Sequence, residues 1–268
     1  MQESIQRHFW NPQRGFLADC LHAAAGKPAA QATPDDALRP NQLLALTLGA
    51  VTDQDIGRQV LAACEELLVP GAIRTLADRP VEFPLPIERA GRLINDPLHP
   101  YWGRYEGDED TRRKPAYHNG TAWTWLFPSF SEAWVQVHGA GGRDAALAWL
   151  AASVRIINAG CLGQIPEILD GDYPHRLRGC DAQAWGVTEL YRVLKGVENS
   201  LWLTERRKNI TTENRVMLIC RNSAKRNYFT KFRQALSAVG AERGGLDLNP
   251  VIIKYLLYDH HLNQAIAR

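Results

Sequence analysis

Glu167, Asp170 and Asp172 put three carboxylates within six residues, an arrangement that packing does not call for. Like charges this close repel, and each prefers water unless something binds it. The segment runs Cys161-Leu-Gly-Gln-Ile-Pro-Glu-Ile-Leu-Asp-Gly-Asp-Tyr-Pro-His175 and continues through Arg178-Gly-Cys-Asp-Ala-Gln-Ala-Trp185. Pro166 and Pro174 stiffen it, while Gly163, Gly171 and Gly179 admit backbone conformations that other residues avoid. A helix reads as ending near Asn158-Ala-Gly160, and another as beginning near Cys180. The expectation is a rigid acidic loop between two helices, a common seat for catalytic carboxylates. A solvated acidic turn is the plainer use of the same residues.

The rest of the chain reads as helices in rough pairs. Residues 2–9 look like a helix stopped by Asn11-Pro12, and 39–48 like a second with Pro40 in its first turn. After Thr52 or Asp53, the set Ile56, Val60, Leu61, Cys64, Leu67 and Leu68 has helical spacing, with Pro70-Gly71 as its terminator. From residue 69 to about 118 the sequence is rich in proline and glycine. A connection of that length is usually functional when ordered. Further helices are expected from about Trp125 to Val137, from Asp144 to Ile157, and from Asp181 to Lys195. Six helices with no strand predict an all-α architecture of helical hairpins. No fixed-period repeat is visible, which argues against a repeat array.

Bulk properties narrow the class. Of 268 residues, 45% are hydrophobic and 22% charged, ordinary values for a globular chain. No apolar run of membrane-spanning length occurs, and the N-terminus lacks the apolar stretch of a signal peptide. Five scattered cysteines fit reduced thiols in a cytoplasmic setting better than a disulfide framework. The net charge of +2 conceals a division. Residues 199–268 hold twelve Lys/Arg against five Asp/Glu, whereas residues 1–198 hold nineteen against twenty-four. Two parts are therefore expected: a body, 1–198, and a basic tail, 199–268, of unassigned structure.

The side chains able to do chemistry are Arg39, Asn41 and Gln42, then Tyr117, His118, Asn119 and Trp123, and finally Glu167, Asp170 and Asp172 with Gln183 and Trp185. Amides and carboxylates bind sugar hydroxyls, aromatic faces stack on sugar C–H surfaces, and a pair of carboxyl groups cleaves a glycosidic bond. This inventory suits carbohydrate. Packing is the plainer role for the tryptophans and for His118. No Gly-rich phosphate loop, Gly-x-Ser-x-Gly or His-Glu-x-x-His occurs, so nucleotide, serine-hydrolase and zinc-protease chemistry lacks support, and no cofactor or metal is expected.

Six motifs in order carry a resemblance: Arg39-Pro-Asn-Gln42, Gly71-Ala-Ile-Arg-Thr-Leu76, Tyr101-Trp-Gly-Arg-Tyr-Glu-Gly107, Tyr117-His-Asn-Gly-Thr-Ala-Trp-Thr-Trp125, Cys161 to Asp172, and Arg178 to Trp185. Over residues 5–197 the chain resembles the C-terminal domain of glycogen debranching enzymes (amylo-α-1,6-glucosidase). Departures are small; the family more often has Gln at Asn119. The resemblance implies an α/α toroid of six hairpins, of which about the C-terminal half is present. It also implies an inverting glucosidase with Glu167 as general base, and with Arg39, Asn41, Gln42, His118, Asp170, Asp172 and Trp185 orienting sugar hydroxyls or the base. The family's general acid is an Asp upstream of the Arg-Pro-Asn-Gln motif, on a hairpin this sequence does not include. The resemblance therefore implies an N-terminally truncated piece, weakly active or inactive alone.

The expected partner is an α-glucan or oligosaccharide, together with the upstream half of the barrel. No membrane partner is expected. A non-catalytic carbohydrate-binding module is the alternative. Nucleic-acid binding through the basic, aromatic-bearing tail ranks last, because the body is acidic.

Overall fold

A computed structural model describes residues 2–157 and 159–205, with side chains through 198. The readings that concern the basic tail fall mostly on residues 206–268 and lie outside the described residues. The six expected helices form, as α1 (Gln2–Phe9), α2 (Gln42–Thr47), α3 (Gln54–Glu65), α5 (Phe127–His138), α6 (Arg143–Ile156) and α7 (Ala184–Glu205), and a short α4 (Lys114–Tyr117) that was not expected joins them. Asp53 caps α3, its carboxylate accepting from the amides of Asp55 at 2.8 Å and Ile56 at 2.9 Å. None of the described helices is long and apolar enough to cross a membrane.

Helix α5 is the hub, packing on α2, α3, α6 and α7. Its first two turns are buried nearly all round, at Phe127, Phe130 and Ala133 but also at Ser129 and Ser131. Phe127 and Phe130 meet Leu43 and Leu46 of α2 and Val60, Leu61 and Cys64 of α3 in the main core. Each large side chain buried there is worth roughly 1.5–3 kcal/mol. A second cluster joins Leu150 of α6 to Leu190, Val193, Leu194 and Val197 of α7, an i, i+3, i+4, i+7 stripe on α7.

The all-α toroid is overturned by a five-stranded antiparallel sheet. Its strands are, in spatial order, Leu177–Arg178, Ile168–Leu169, Ala122–Trp123, Ala72–Arg74 and Leu68–Val69. Trp123 pairs with Ile168 on one side and Ile73 on the other. Strands of two or three residues are too short to show an alternating pattern, which is why periodicity misses them. Pro70-Gly71, expected to stop a helix, instead turns the hairpin between Leu68–Val69 and Ala72–Arg74, with Gly71 at φ +80°. Helix α3 has already ended at Glu65.

The long proline-rich connection is ordered by its own backbone and by side chains beneath it. Val81 and Leu85 donate to Leu98 and Pro97 at 2.8 and 2.9 Å, and buried Asp36 accepts from the amides of Glu82 and Phe83. The charge run 108–114 becomes a capped turn, Asp108 accepting from Asp110 and Thr111 while Lys114 pairs with Asp110 at 2.7 Å. It delivers the chain into α4 and so to Tyr117.

Three loops then meet backbone to backbone. Gly171 donates to Gly103 at 2.7 Å, and a Cβ on Gly120 would stand 2.6 Å from the Trp102 carbonyl. A Cβ on Gly171 would overlap the carbonyl oxygen of Gly120. Gly171→Ala should therefore lower stability by about 3 kcal/mol, the upper end of overpacking costs. Gly141→Ala, at a position open on all sides, should change urea-unfolding free energy by less than about 1 kcal/mol.

Candidate active site

The sheet sets the acidic loop beside the Tyr117–Trp125 segment and sorts its three carboxylates into three environments. Glu167 precedes the strand Ile168–Leu169, and its amide donates to the Cys180 carbonyl at 2.8 Å. The Thr124 hydroxyl and amide bind the carbonyls of Pro166 and Glu167, fixing the loop from the other side. The half-buried Glu167 carboxylate accepts from the Tyr117 phenol on Oε1 and from the Cys180 amide, at 3.1 Å, on Oε2.

Asp170 turns the other way and is 1% exposed. It accepts from Arg178 Nε at 3.1 Å on both oxygens, pairs with Nη2 at 3.0 Å, and takes the Tyr105 amide at 2.8 Å. Hydrogen bonding to Asp170 raises the already high pKa of Arg178. Asp172 accepts from the Tyr101 phenol at 2.9 Å, at the edge of an open cleft of about 820 Å³. Burial, reinforced by Asp172, pushes the Tyr101 phenol to a higher pKa despite Arg74 nearby. Trp102, Arg104 and Glu106 also line that cleft.

From Glu167 an aromatic wall runs outward. Tyr117 lies 4.9 Å from His118 and 5.7 Å from Trp123 between ring centroids. Trp123 lies 5.5 Å from Trp125, which stacks on the half-exposed Trp185 at 4.0 Å. Trp123 Nε1 within the wall, and Gln183 Oε1 two residues before Trp185 in sequence, are buried without a hydrogen-bond partner among the described residues. Glu167, Tyr117, His118, Trp123 and Trp185 are thus brought together, while Gln183 is tied to the acidic loop through its amide, which donates to the Ile165 carbonyl at 3.3 Å.

Arg39, Asn41, Gln42 and Asn119 form a neighbouring group that mostly serves the backbone. Arg39 donates to the carbonyls of Thr75 and His118 and, at 2.9 Å, to Asn119 Oδ1. Gln42 donates to Arg39 O and accepts from Leu17 N. Exposed Asn41 reaches Asp19 at 2.8 Å. Burial lowers the pKa of Arg39, and burial plus Arg39 lowers that of His118.

Residues not singled out from sequence also hold the site. Thr124 and Arg178 stood inside quoted motifs without a role; Arg74, which donates to Gly171 O at 2.9 Å, did likewise. The Cys180 amide has no side-chain signature at all. Among the described residues, no three His, Cys, Asp or Glu side chains gather as metal ligands.

Two outcomes follow from this geometry. Asp170→Ala removes the acceptor of the Tyr105 amide and leaves Arg178 with Glu106 as its carboxylate partner, and should cost about 1–3 kcal/mol in urea unfolding. His118, with its pKa depressed on folding, takes up a proton more readily when unfolded. Its contribution is present above the ordinary imidazole value of 6.5 and is lost as pH falls through the lower folded value. The drop in unfolding midpoint over that range should shrink in His118→Gln.

No curated protein matches the chain. A family model described as Amylo-alpha-1,6-glucosidase matches residues 1–86 and 92–192, which include every candidate residue from Arg39 to Trp185. The chain belongs to the amylo-alpha-1,6-glucosidase family, the C-terminal domain of glycogen debranching enzymes.

Proposed function

We propose that the chain contributes the general-base half of an inverting glucosidase acting on α-1,6-linked glucose at glycogen or α-glucan branch points. One observation carries the reading: Glu167 is held by Tyr117 and the Cys180 amide at the end of an aromatic wall. The half-exposed indole of Trp185, stacked on Trp125, offers a sugar an apolar face at the outer end of that wall. His118, kept neutral by burial, offers ring nitrogens without adding charge. Asn41 and Asp172, at the two flanks, complete the polar set.

Chemically, Glu167 takes a proton from a water that attacks the anomeric carbon on the face opposite the departing oxygen. The bond from that carbon to the leaving oxygen breaks as the new C–O bond forms, so the configuration inverts. Such a base stands about 6.5–9.5 Å from the acid that protonates the leaving group. We propose that a separate segment of polypeptide supplies this acid, as the resemblance to the family implies. Without it, hydrolysis of a branch-point glucan should be about 10²–10⁴-fold slower.

α-D-Glucosyl fluoride separates the two halves, because fluoride leaves without being protonated. The chain should release β-glucose from it, and Glu167→Gln should lower turnover about 10²–10⁴-fold while maltooligosaccharide binding by calorimetry stays unchanged. Sugar binding with no turnover of the fluoride would replace the enzyme reading with a binding module.

A further inference from the structure

We infer that Tyr117 is a positioning residue, which acts on substrate only through the Glu167 carboxylate. The inference rests on Glu167 being the base, and it gives Tyr117 a different task from the sugar contact expected from sequence.

Both carboxylate oxygens are already spoken for once. Oε1 takes the Tyr117 phenol and Oε2 takes the Cys180 amide at 3.1 Å. An ionised carboxylate has about four lone-pair sites. One donor on each oxygen leaves the remaining sites in a fixed plane, so the direction in which a proton can be collected is set by the two donors.

Both donors are themselves fixed. The Tyr117 ring is bracketed by Tyr105 at 5.9 Å, His118 at 4.9 Å and Trp123 at 5.7 Å. Tyr105 is anchored by its amide on Asp170, and Asp170 on Arg178, two residues before Cys180. The contacts therefore close a circuit: Tyr117, Glu167, the Cys180 amide, back along the chain to Arg178, Asp170, Tyr105, and Tyr117 again. Gly179 makes the closure possible. It adopts φ +70°, and a Cβ there would stand 2.7 Å from Glu167 Oε2. Burial, reinforced by the bond to Glu167, raises the pKa of the phenol, which keeps it a donor throughout the neutral range. The one proton of the phenol is committed to Glu167, so Tyr117 has no donor left to offer a sugar.

The test measures α-glucosyl fluoride turnover by the full chain. Tyr117→Phe should lower kcat about 10- to 100-fold, the range of one hydrogen bond to a charged group, with KM unchanged. In a Glu167→Gly background, azide can replace the activated water: its C–N bond forms at the anomeric carbon as the C–F bond breaks and fluoride leaves. Adding Tyr117→Phe there should cost less than about twofold, because the group it positions is gone. A raised KM in the single variant, or an undiminished loss in the azide reaction, would overturn the inference and return Tyr117 to the substrate.

Contact is read without turnover by 13C NMR of ring-labelled tyrosine, with the Tyr117 resonance assigned by its loss in Tyr117→Phe. Glu167→Gln should move the Tyr117 ionisation to lower pH; an unmoved titration refutes the contact. Absence of fluoride turnover in the unsubstituted chain would sink the base reading of Glu167, and the positioning role with it. The NMR titration would still report the contact on its own.

Discussion

Everything near Glu167 depends on three loops pressing their main chains together at Gly103, Gly120 and Gly171. Side chains there would hold the loops apart by more than their mutual hydrogen bonds could recover. With the glycines in place, the proline-rich connection, the segment after α4 and the acidic loop become one layer. The short sheet continues that layer, with Ala122–Trp123 as the strand shared between the hairpin and the acidic loop. Helix α5, buried on nearly every side at its first turns, supports it from below. Precision at the carboxylate thus comes from backbone contacts, while stability comes from the helical core.

Much of this was legible in the sequence. The six expected helices are present, and α3 and α7 carry stripes of apolar residues long enough to read: Val60, Leu61 and Cys64 in one, Leu190, Val193 and Leu194 in the other. The sheet was not legible. Ile168–Leu169 and Ala122–Trp123 are two-residue strands whose pairing is set by distant contacts, and no local pattern announces them. Pro70-Gly71 misled for a related reason: the same dipeptide ends helices and turns hairpins, and only the partner strand decides.

The site shows the same division. Clustering of carboxylates and aromatics singled out one neighbourhood, because packing alone does not call for so many carboxylates in six residues. Assigning tasks within it required coordinates. Asp170 is fully buried on Arg178 although it stands three residues from Glu167, an exchange of environments that follows from strand alternation through Ile168 and Leu169. Arg39 and Gln42 attach to carbonyls and amides of neighbouring loops, a use that no motif spells out.

One donor to Glu167 is a peptide N–H, and this decides which changes evolution can make here. Position 180 is free to carry many side chains, since only its main-chain atoms serve the glutamate. Position 179 is bound to glycine by its left-handed backbone and by the oxygen beside it. In any relative sharing this geometry, variability and invariance should therefore sit on adjacent residues, with the chemically inert one of the two held fixed.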